Sequence, residues 1–343
     1  MFVPKYLYIF LTENCNLNCR HCYGDFSKNK KVKNLNLPEW QKIFEQCASL
    51  RIFYYVISGG EPTTHPQFKE LVEYLSKSNQ YFALVTNGHF NKNIEDLLIK
   101  NKKHIIELKF SLDGYDFDTY NYLRQINNRL LFDNFIARIK RFSRAGVKIS
   151  LGINIHSRNI NHIKKFSKFI NSLGPQHIEI STIANTGRAK LLPIKDKNIS
   201  LKQIKKLQEQ FTLYLDKKIT TSFVDMPFNH SRFGFSCPAI TDFMAISSRG
   251  ILLPCPLFNS PDIKKYCHHL NAHNLGLKKV LSSPVLKKLY LAKLTPCLYR
   301  ERGCHNAKNC QRCLAQSLMK GNPQTPPDFC LQYKKILFQK NAV

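Results

Sequence analysis

The chain has no run of about eighteen apolar residues, the length that a membrane-spanning helix needs, so nothing in it reads as a membrane anchor. Residues 2–11 are apolar, but Pro4 and Lys5 interrupt them and no small-residue cleavage site follows, which argues against a secretory signal. Acidic residues are scarce: 23 Asp and Glu face 52 Lys and Arg, for a formal charge of +29. A strongly positive surface attracts polyanions, yet a nucleic-acid footprint should cluster on one face or stripe. Here Lys is spread over every predicted helix beside abundant Asn and Ile, a bias of the whole chain that disfavours a nucleic-acid partner. The twelve cysteines would mark a disulfide framework in a small secreted protein. In 343 residues, and bunched toward both ends, they instead suggest a protein of a reducing compartment, and the expected location is cytoplasmic. Hydrophobic residues at 43% suffice for a core, and the length suggests one large unit with an appendage.

The stretch Cys15-Asn16-Leu17-Asn18-Cys19-Arg20-His21-Cys22 places three thiols in one short loop. Thiolates suit iron-sulfur clusters, and a loop offering three of them leaves one iron of a [4Fe-4S] cube without a protein ligand and open to something else. A zinc site would want a fourth ligand, and His21, bonded directly to Cys22, is badly placed to share its metal. The three cysteines could also share one helix face, but Asn14, Asn16 and Asn18 make a poor helix.

This C-x3-C-x2-C spacing after an apolar strand resembles the signature of the radical S-adenosylmethionine enzymes. The resemblance implies that the open iron chelates the amino and carboxylate groups of S-adenosylmethionine. An electron from the cluster then yields a 5′-deoxyadenosyl radical, which takes a hydrogen atom from a substrate. His21 departs from the pattern, standing where an aromatic residue is usual.

Strands are expected at Lys5 to Leu11, Phe53 to Ile57, Tyr81 to Val85, Ile105 to Phe110, Val147 to Ile153 and His177 to Ser181. Helical patterns lie between them, among them Trp40, Ile43, Phe44 and Cys47, then Phe132, Phe135, Ile136, Ile139 and Phe142, then Ile163, Phe166, Phe169 and Ile170. Strands alternating with helices argue a parallel sheet. Six units before about residue 215 are too few for the eight of a closed barrel, so the expected fold is α/β, an open (β/α)6 partial barrel, as the resemblance also implies. Turn motifs fall at strand ends: Gly59-Gly60-Glu61, Thr86-Asn87-Gly88 and Ser111-Leu112-Asp113-Gly114. Adjacent glycines permit close backbone approach to a ligand, and Glu61 can accept from an ammonium group. Singly these are ordinary turn residues; their joint placement at strand ends is the signal. The resemblance implies that Gly59, Gly60 and Glu61 hold the methionine amino group, and that Ser111, Asp113 and Asn154 meet the carboxylate and ribose. Arg124 resembles a carboxylate-contacting arginine, with a solvated helix arginine as the alternative. Thr186-Gly187-Arg188-Ala189 resembles a segment whose backbone edges the adenine.

Beyond residues 216–236, expected as a linker, the chain becomes rich in cysteine, proline and glycine. Residues 237–343 contain Cys237, Cys255, Cys267, Cys297, Cys304, Cys310, Cys313 and Cys330. With few helical patterns, the region needs a metal staple. Zinc is an alternative, but only Cys310 and Cys313 form a knuckle pair. The order resembles the SPASM extension of radical S-adenosylmethionine enzymes, which carries two auxiliary [4Fe-4S] clusters. By that resemblance Cys237, Cys255 and Cys313 hold the first, and Cys297, Cys304, Cys310 and Cys330 the second. The spacings from Cys297 to Cys304 and from Cys310 to Cys313 depart from the pattern, and Cys267 is either a further ligand or a free thiol. Cys47 is a core residue.

No acid, base or nucleophile stands out as catalytic, consistent with chemistry supplied by a cofactor. The resemblance implies an enzyme modifying or oxidising a peptide or protein side chain. Small-molecule work, such as trimming a tetrapyrrole side chain, and a non-catalytic electron carrier are the alternatives. An external electron donor such as flavodoxin or ferredoxin is implied. Because the barrel starts at Lys5, a separate leader-peptide-binding protein is the expected source of any leader recognition.

Overall fold

The computed structural model describes residues 1–28, 32–224, 237–299, 304, 313–327 and 330. Its nine strands are β1 (Tyr6–Phe10), β2 (Tyr54–Ser58), β3 (Tyr81–Thr86), β4 (Ile105–Ser111), β5 (Ile149–Ile155), β6 (His177–Thr182), β7 (Thr220–Phe223), β8 (Phe243–Ile246) and β9 (Leu252–Leu253). Among the described residues they form one sheet in the order β7-β6-β5-β4-β3-β2-β1-β8-β9, open because its two edge strands do not pair. Every pairing is parallel except β8 with β9.

The six expected strands all form within two residues of the expected ends. Two additions were not anticipated. The stretch expected as a linker contains β7, which extends the sheet beyond β6. The cysteine-rich region contributes β8, which pairs with the opposite side of β1, and the helix Pro284–Leu294. One hydrophobic core therefore runs through both parts, joining Leu7, Trp40 and Phe110 to Met244, Leu286 and Leu318.

Between β1 and β6 the α-helices are α1 (Leu37–Ser49), α2 (Phe68–Lys77), α3 (Lys92–Lys100), α4 (Phe117–Arg124), α5 (Arg129–Arg144) and α6 (Ile163–Leu173). Asn36 caps α1, with Glu39 completing a capping box, and Trp40, Ile43, Phe44 and Cys47 form its buried stripe. In α5 the stripe is Phe132, Phe135, Ile139 and Phe142.

The two faces of the sheet differ in chemistry. On one, Leu7, Ile9, Tyr55, Ile57, Phe82, Leu84, Leu108, Phe110, Leu151, Ile153, Ile178 and Ile180 are all buried under the helices. The other carries half-buried Tyr6, Tyr8, Tyr54, Glu107, Lys109, His177 and Glu179. Parallel sheets covered on both faces read as continuous apolar runs; this alternation means that the second face meets something polar. Its polar groups are organised. Lys109 pairs with Glu179 at 2.8 Å, His177 reaches Thr220 Oγ1 at 2.8 Å and Ser222 Oγ at 2.9 Å, and Tyr6 stacks on Phe243. Among the described residues no helix is long and apolar enough to cross a membrane.

Candidate active site

The cysteine loop leaves the carboxyl end of β1 and is fastened to four other strand ends. After β2, the Gly60 and Glu61 amides donate to the Thr12 and Asn14 carbonyls, both at 2.8 Å. A Cβ on Gly60 would lie 2.2 Å from the Asn14 carbonyl oxygen, and one on Gly59 2.6 Å from that of Thr12. The close approach inferred for these glycines is thus, in this structure, between two chain segments. Gly59 also sits at φ +152°, a conformation that side chains rarely adopt.

Glu61 is fully buried, and its carboxylate accepts from Thr63 N, Thr63 Oγ1, Thr86 Oγ1 and Asn87 N at 2.7–3.2 Å. Burial pushes its pKa up, opposed by these hydrogen bonds. The carboxylate fixes the end of β3, so that Asn87 Nδ2 donates to Asn16 Oδ1 at 2.7 Å and approaches Cys15 Sγ at 3.8 Å. Asn16 in turn donates to the His89 carbonyl. Asn87 belongs to a motif visible in the sequence, but its contact with the loop depends on Glu61.

Cys19 sits against a buried charge network built after β4 and β5. Arg124, the last residue of α4, is 8% exposed and therefore no solvated surface arginine. Its Nε donates to Asp113 Oδ2 at 2.5 Å and its Nη1 lies 3.8 Å from Cys19 Sγ. Asp113 is completely buried; its Oδ1 accepts from the Asn154 amide and from Asn154 Nδ2, while His21 Nε2 stands 3.4 Å from Oδ2. Burial opposes the Asp113 charge, but Arg124 and then His21 outweigh it and hold its pKa below the ordinary range. For His21, burial dominates and lowers the ring to about 4, so the side chain is neutral near pH 7. His156 and Asn159, which the sequence did not flag, hold the Asp113 carbonyl at 2.9 and 3.1 Å. Ser111 is half-buried at the end of β4, and its register opposite Gly152 puts it on the polar face with Asn154.

The loop after β6 closes the clamp. Arg188 donates from its amide to the Cys22 carbonyl at 3.0 Å, from Nε to the Cys19 carbonyl at 2.9 Å and from Nη1 to Asp25 at 2.9 Å. Gly187 has φ +56°, and a Cβ there would meet the Cys22 carbonyl oxygen at 2.5 Å. Thr186 and Lys190 both donate to Asp262, tying this loop to the cysteine-rich region.

The three thiols are near enough for the charges of Cys19 and Cys22 to raise the Cys15 pKa, after burial, to about 12. Burial raises Cys19 too, with Arg124 opposing it. Such crowded thiols ionise readily only when a metal displaces their protons. Among the described residues no three His, Cys, Asp or Glu side chains converge on a single-ion site. A cube asks less convergence of its ligands, because each thiolate binds a different iron, and a buried all-sulfur donor set with one nearby guanidinium fits such a cluster.

In the second region Cys237 and Cys313 lie near enough to Cys255 for their charges to act on it. Burial drives the Cys255 thiol far up, and the next influences on it are Cys313 and Cys237. This three-thiol set fits an iron-sulfur centre by the same chemistry. Cys297 and Cys304 are half-buried and Cys330 is buried, whereas Cys310 lies outside the described residues. Cys267 is fully buried, and burial alone raises it, to about 12. Cys47, also raised to about 12 by burial, packs in the core as expected.

A family model for the Radical SAM superfamily matches residues 9–170, which span the cysteine loop, β2 to β5 and most of α6. The chain carries a radical SAM domain. AlbA of Bacillus subtilis, an antilisterial bacteriocin subtilosin biosynthesis protein, is 24% identical over 297 residues, 85% of this chain and 62% of AlbA. The AdoMet-dependent heme synthase of Methanosarcina barkeri is 26% identical over 187 residues, 54% of this chain and 52% of the synthase. The chain thus spans about half to two thirds of these relatives. SuiB of Streptococcus suis, in its crystal structure bound to S-adenosylmethionine, matches with a TM-score of 0.77 over 95% of this chain and 77% of SuiB. At 19% identity that likeness is one of fold.

Proposed function

We propose that this radical SAM chain cleaves S-adenosylmethionine reductively and abstracts a hydrogen atom from a peptide or protein side chain. The observation that carries this reading is the Cys15–Cys19–Cys22 loop, fastened at the carboxyl ends of the strands whose open face is polar. When bound, a [4Fe-4S] cube on Cys15, Cys19 and Cys22 supplies the electron for cleavage of S-adenosylmethionine.

The chain's own residues bind and orient. The Gly59–Gly60 backbone, Ser111, Arg124 and Asn154 edge the site for S-adenosylmethionine, with the Arg124 guanidinium the cation available to its carboxylate. Glu61 and Asp113 are buried anchors beneath them. The polar face, with Tyr6, Tyr8, Tyr54 and the Lys109–Glu179 pair, receives the substrate, which covers it and so displaces bulk water from the site. Cys237, Cys255 and Cys313 hold one auxiliary cluster, and Cys297, Cys304, Cys310 and Cys330 a second. A flavodoxin or ferredoxin supplies electrons.

A peptide substrate is favoured because the match to AlbA, a bacteriocin biosynthesis protein, covers 85% of this chain. The heme synthase match favours a tetrapyrrole as the second reading, but it covers only 54% of the chain. Anaerobically reconstituted and reduced protein should form 5′-deoxyadenosine, and Cys→Ala at Cys15, Cys19 or Cys22 should abolish it. Retained cleavage in all three variants would overturn the reading. Iron should approach about twelve atoms per chain, three cubes; about four with stoichiometric zinc would make the second region a zinc fold. Peptides encoded beside this chain's reading frame, assayed by mass against a porphyrin precursor, decide between the substrates.

A further inference from the structure

Lys293 lies on the buried stripe of helix Pro284–Leu294, in line with Leu286 and Leu289, where helical periodicity asks for an apolar residue. It is only 2% exposed. Its Nζ donates to the carbonyls of Cys237 at 2.7 Å and Ala239 at 2.8 Å, and Tyr290 places its ring 5.6 Å away. Lys is almost never fully buried unless paired, because two carbonyls solvate an ammonium without neutralising it. No carboxylate among the described residues forms an ion pair with Lys293. Asp242 acts on it from a distance but is itself paired with Lys5 at 2.8 Å and half-exposed. The other groups whose charge reaches Lys293 are the thiols of Cys237 and Cys255.

We infer that Lys293 is a positioning residue for the auxiliary cluster of Cys237, Cys255 and Cys313, holding the Cys237 backbone and supplying a fixed positive charge that raises the cluster's reduction potential. This rests on the reading that those three cysteines bind a cluster. A cluster ligated by thiolates carries net negative charge and gains one more on reduction, so a buried cation beside it stabilises the reduced form more than the oxidised form. Net charge, hydrogen bonding and solvent exposure set such potentials. A site that positioned Cys237 by shape alone would need no charge, and methionine would fill the same space without the cost of burying an ammonium.

The test uses the full chain, reconstituted anaerobically, with iron and sulfide counted and reduction followed by electron paramagnetic resonance during a potentiometric titration. The signal that disappears in Cys255→Ala marks the cluster in question. A parent protein showing no such signal sinks the cluster assignment itself, whatever Lys293 does. Where the signal is present, Lys293→Met should lower its reduction equilibrium constant about tenfold or more, about 59 mV for one electron. The cluster on the Cys15 loop should keep its midpoint, and Lys293→Arg should keep most of the parent value. Full iron with an unmoved midpoint in Lys293→Met overturns the inference. If Lys293→Met loses iron, the arginine variant decides: retention of the cluster supports a charge role, and equal loss shows that only the shape of lysine matters.

Discussion

Around Cys15, Cys19 and Cys22 the restraints come from the chain itself. Strand ends after β2, β3, β4 and β6 each hold the loop, through the Gly60 amide, Asn87, Arg124 and Arg188. Around Cys237, Cys255 and Cys313 the supporting elements are short. Cys255 precedes the single turn Pro256–Asn259, and Cys313 precedes the six-residue helix Leu314–Met319. The first region is held by hydrogen bonds from four strand ends, whereas in the second the cysteines sit beside short elements, so a common ligand there is expected to add more to the order of its surroundings. Two sites that use the same side chain can therefore differ in what the metal does: at one it joins a finished frame, at the other it helps to make the frame.

The largest expected effect tests that contrast directly. Chelating the iron under anaerobic conditions should raise amide exchange in residues 237–299 on the order of a thousandfold, with far smaller changes in residues 12–22. Equal loosening of both regions, read by mass spectrometry of exchanged peptides, would break the comparison. Next comes the charge network under the first loop. Asp113→Ala leaves Arg124 buried without its partner and should destabilise the chain by about 3–5 kcal/mol in denaturant titration; the second region's iron should be spared in the folded fraction.

The third prediction concerns acid. Burial, then Arg124 and Arg138, lower the His89 ring to about 4. The fold thus prefers the neutral ring, so this stabilisation is complete above the ordinary histidine value of about 6.5 and is lost as pH falls from there toward 4. Up to about 3 kcal/mol should disappear across that window. His89→Gln should flatten this part of the stability profile, and an unchanged acid limb would show that the buried ring carries none of it. The smallest effect separates ligands from bystanders in the second region. Cys267→Ala should cost about 1–2 kcal/mol in stability and leave the iron count unchanged; a loss of about four irons would enrol Cys267 as a ligand.

Much of the frame was legible because it follows from repeating patterns. Apolar runs such as Tyr54–Ser58 and the stripe of α1 leave little choice of structure or facing. β7 escaped because Thr220-Thr-Ser-Phe223 is short, partly exposed and without apolar alternation, and β8 because four residues inside a cysteine-rich stretch carry little periodic signal. In the site, residue types were readable and partners were not. Gly59 and Gly60 announced close approach, but the approaching group, the Thr12–Asn14 backbone, lies far away in sequence. Arg124 was singled out with a solvated helix arginine as the alternative, and its partners Asp113 and Cys19 were not readable from the sequence. Lys293 carried a signal that could have been caught, a lysine on the apolar stripe of its helix.

The pairing of β1 with β8 also sets an order of assembly. The strand that carries the cysteine loop has one flank on β2, synthesised soon after it, and the other on β8, where Tyr6 meets Phe243. During translation that second flank must remain an unpaired edge until most of the chain has left the ribosome, and an open edge is a template for wrong partners. Contacts so distant in sequence also form slowly, since the loop between them must close first. The cell that makes this protein therefore faces a nascent chain whose cluster-binding loop hangs from a half-finished sheet, and shielding that edge with a chaperone until residue 243 has emerged should raise the yield of correctly folded chains more than the same help given later.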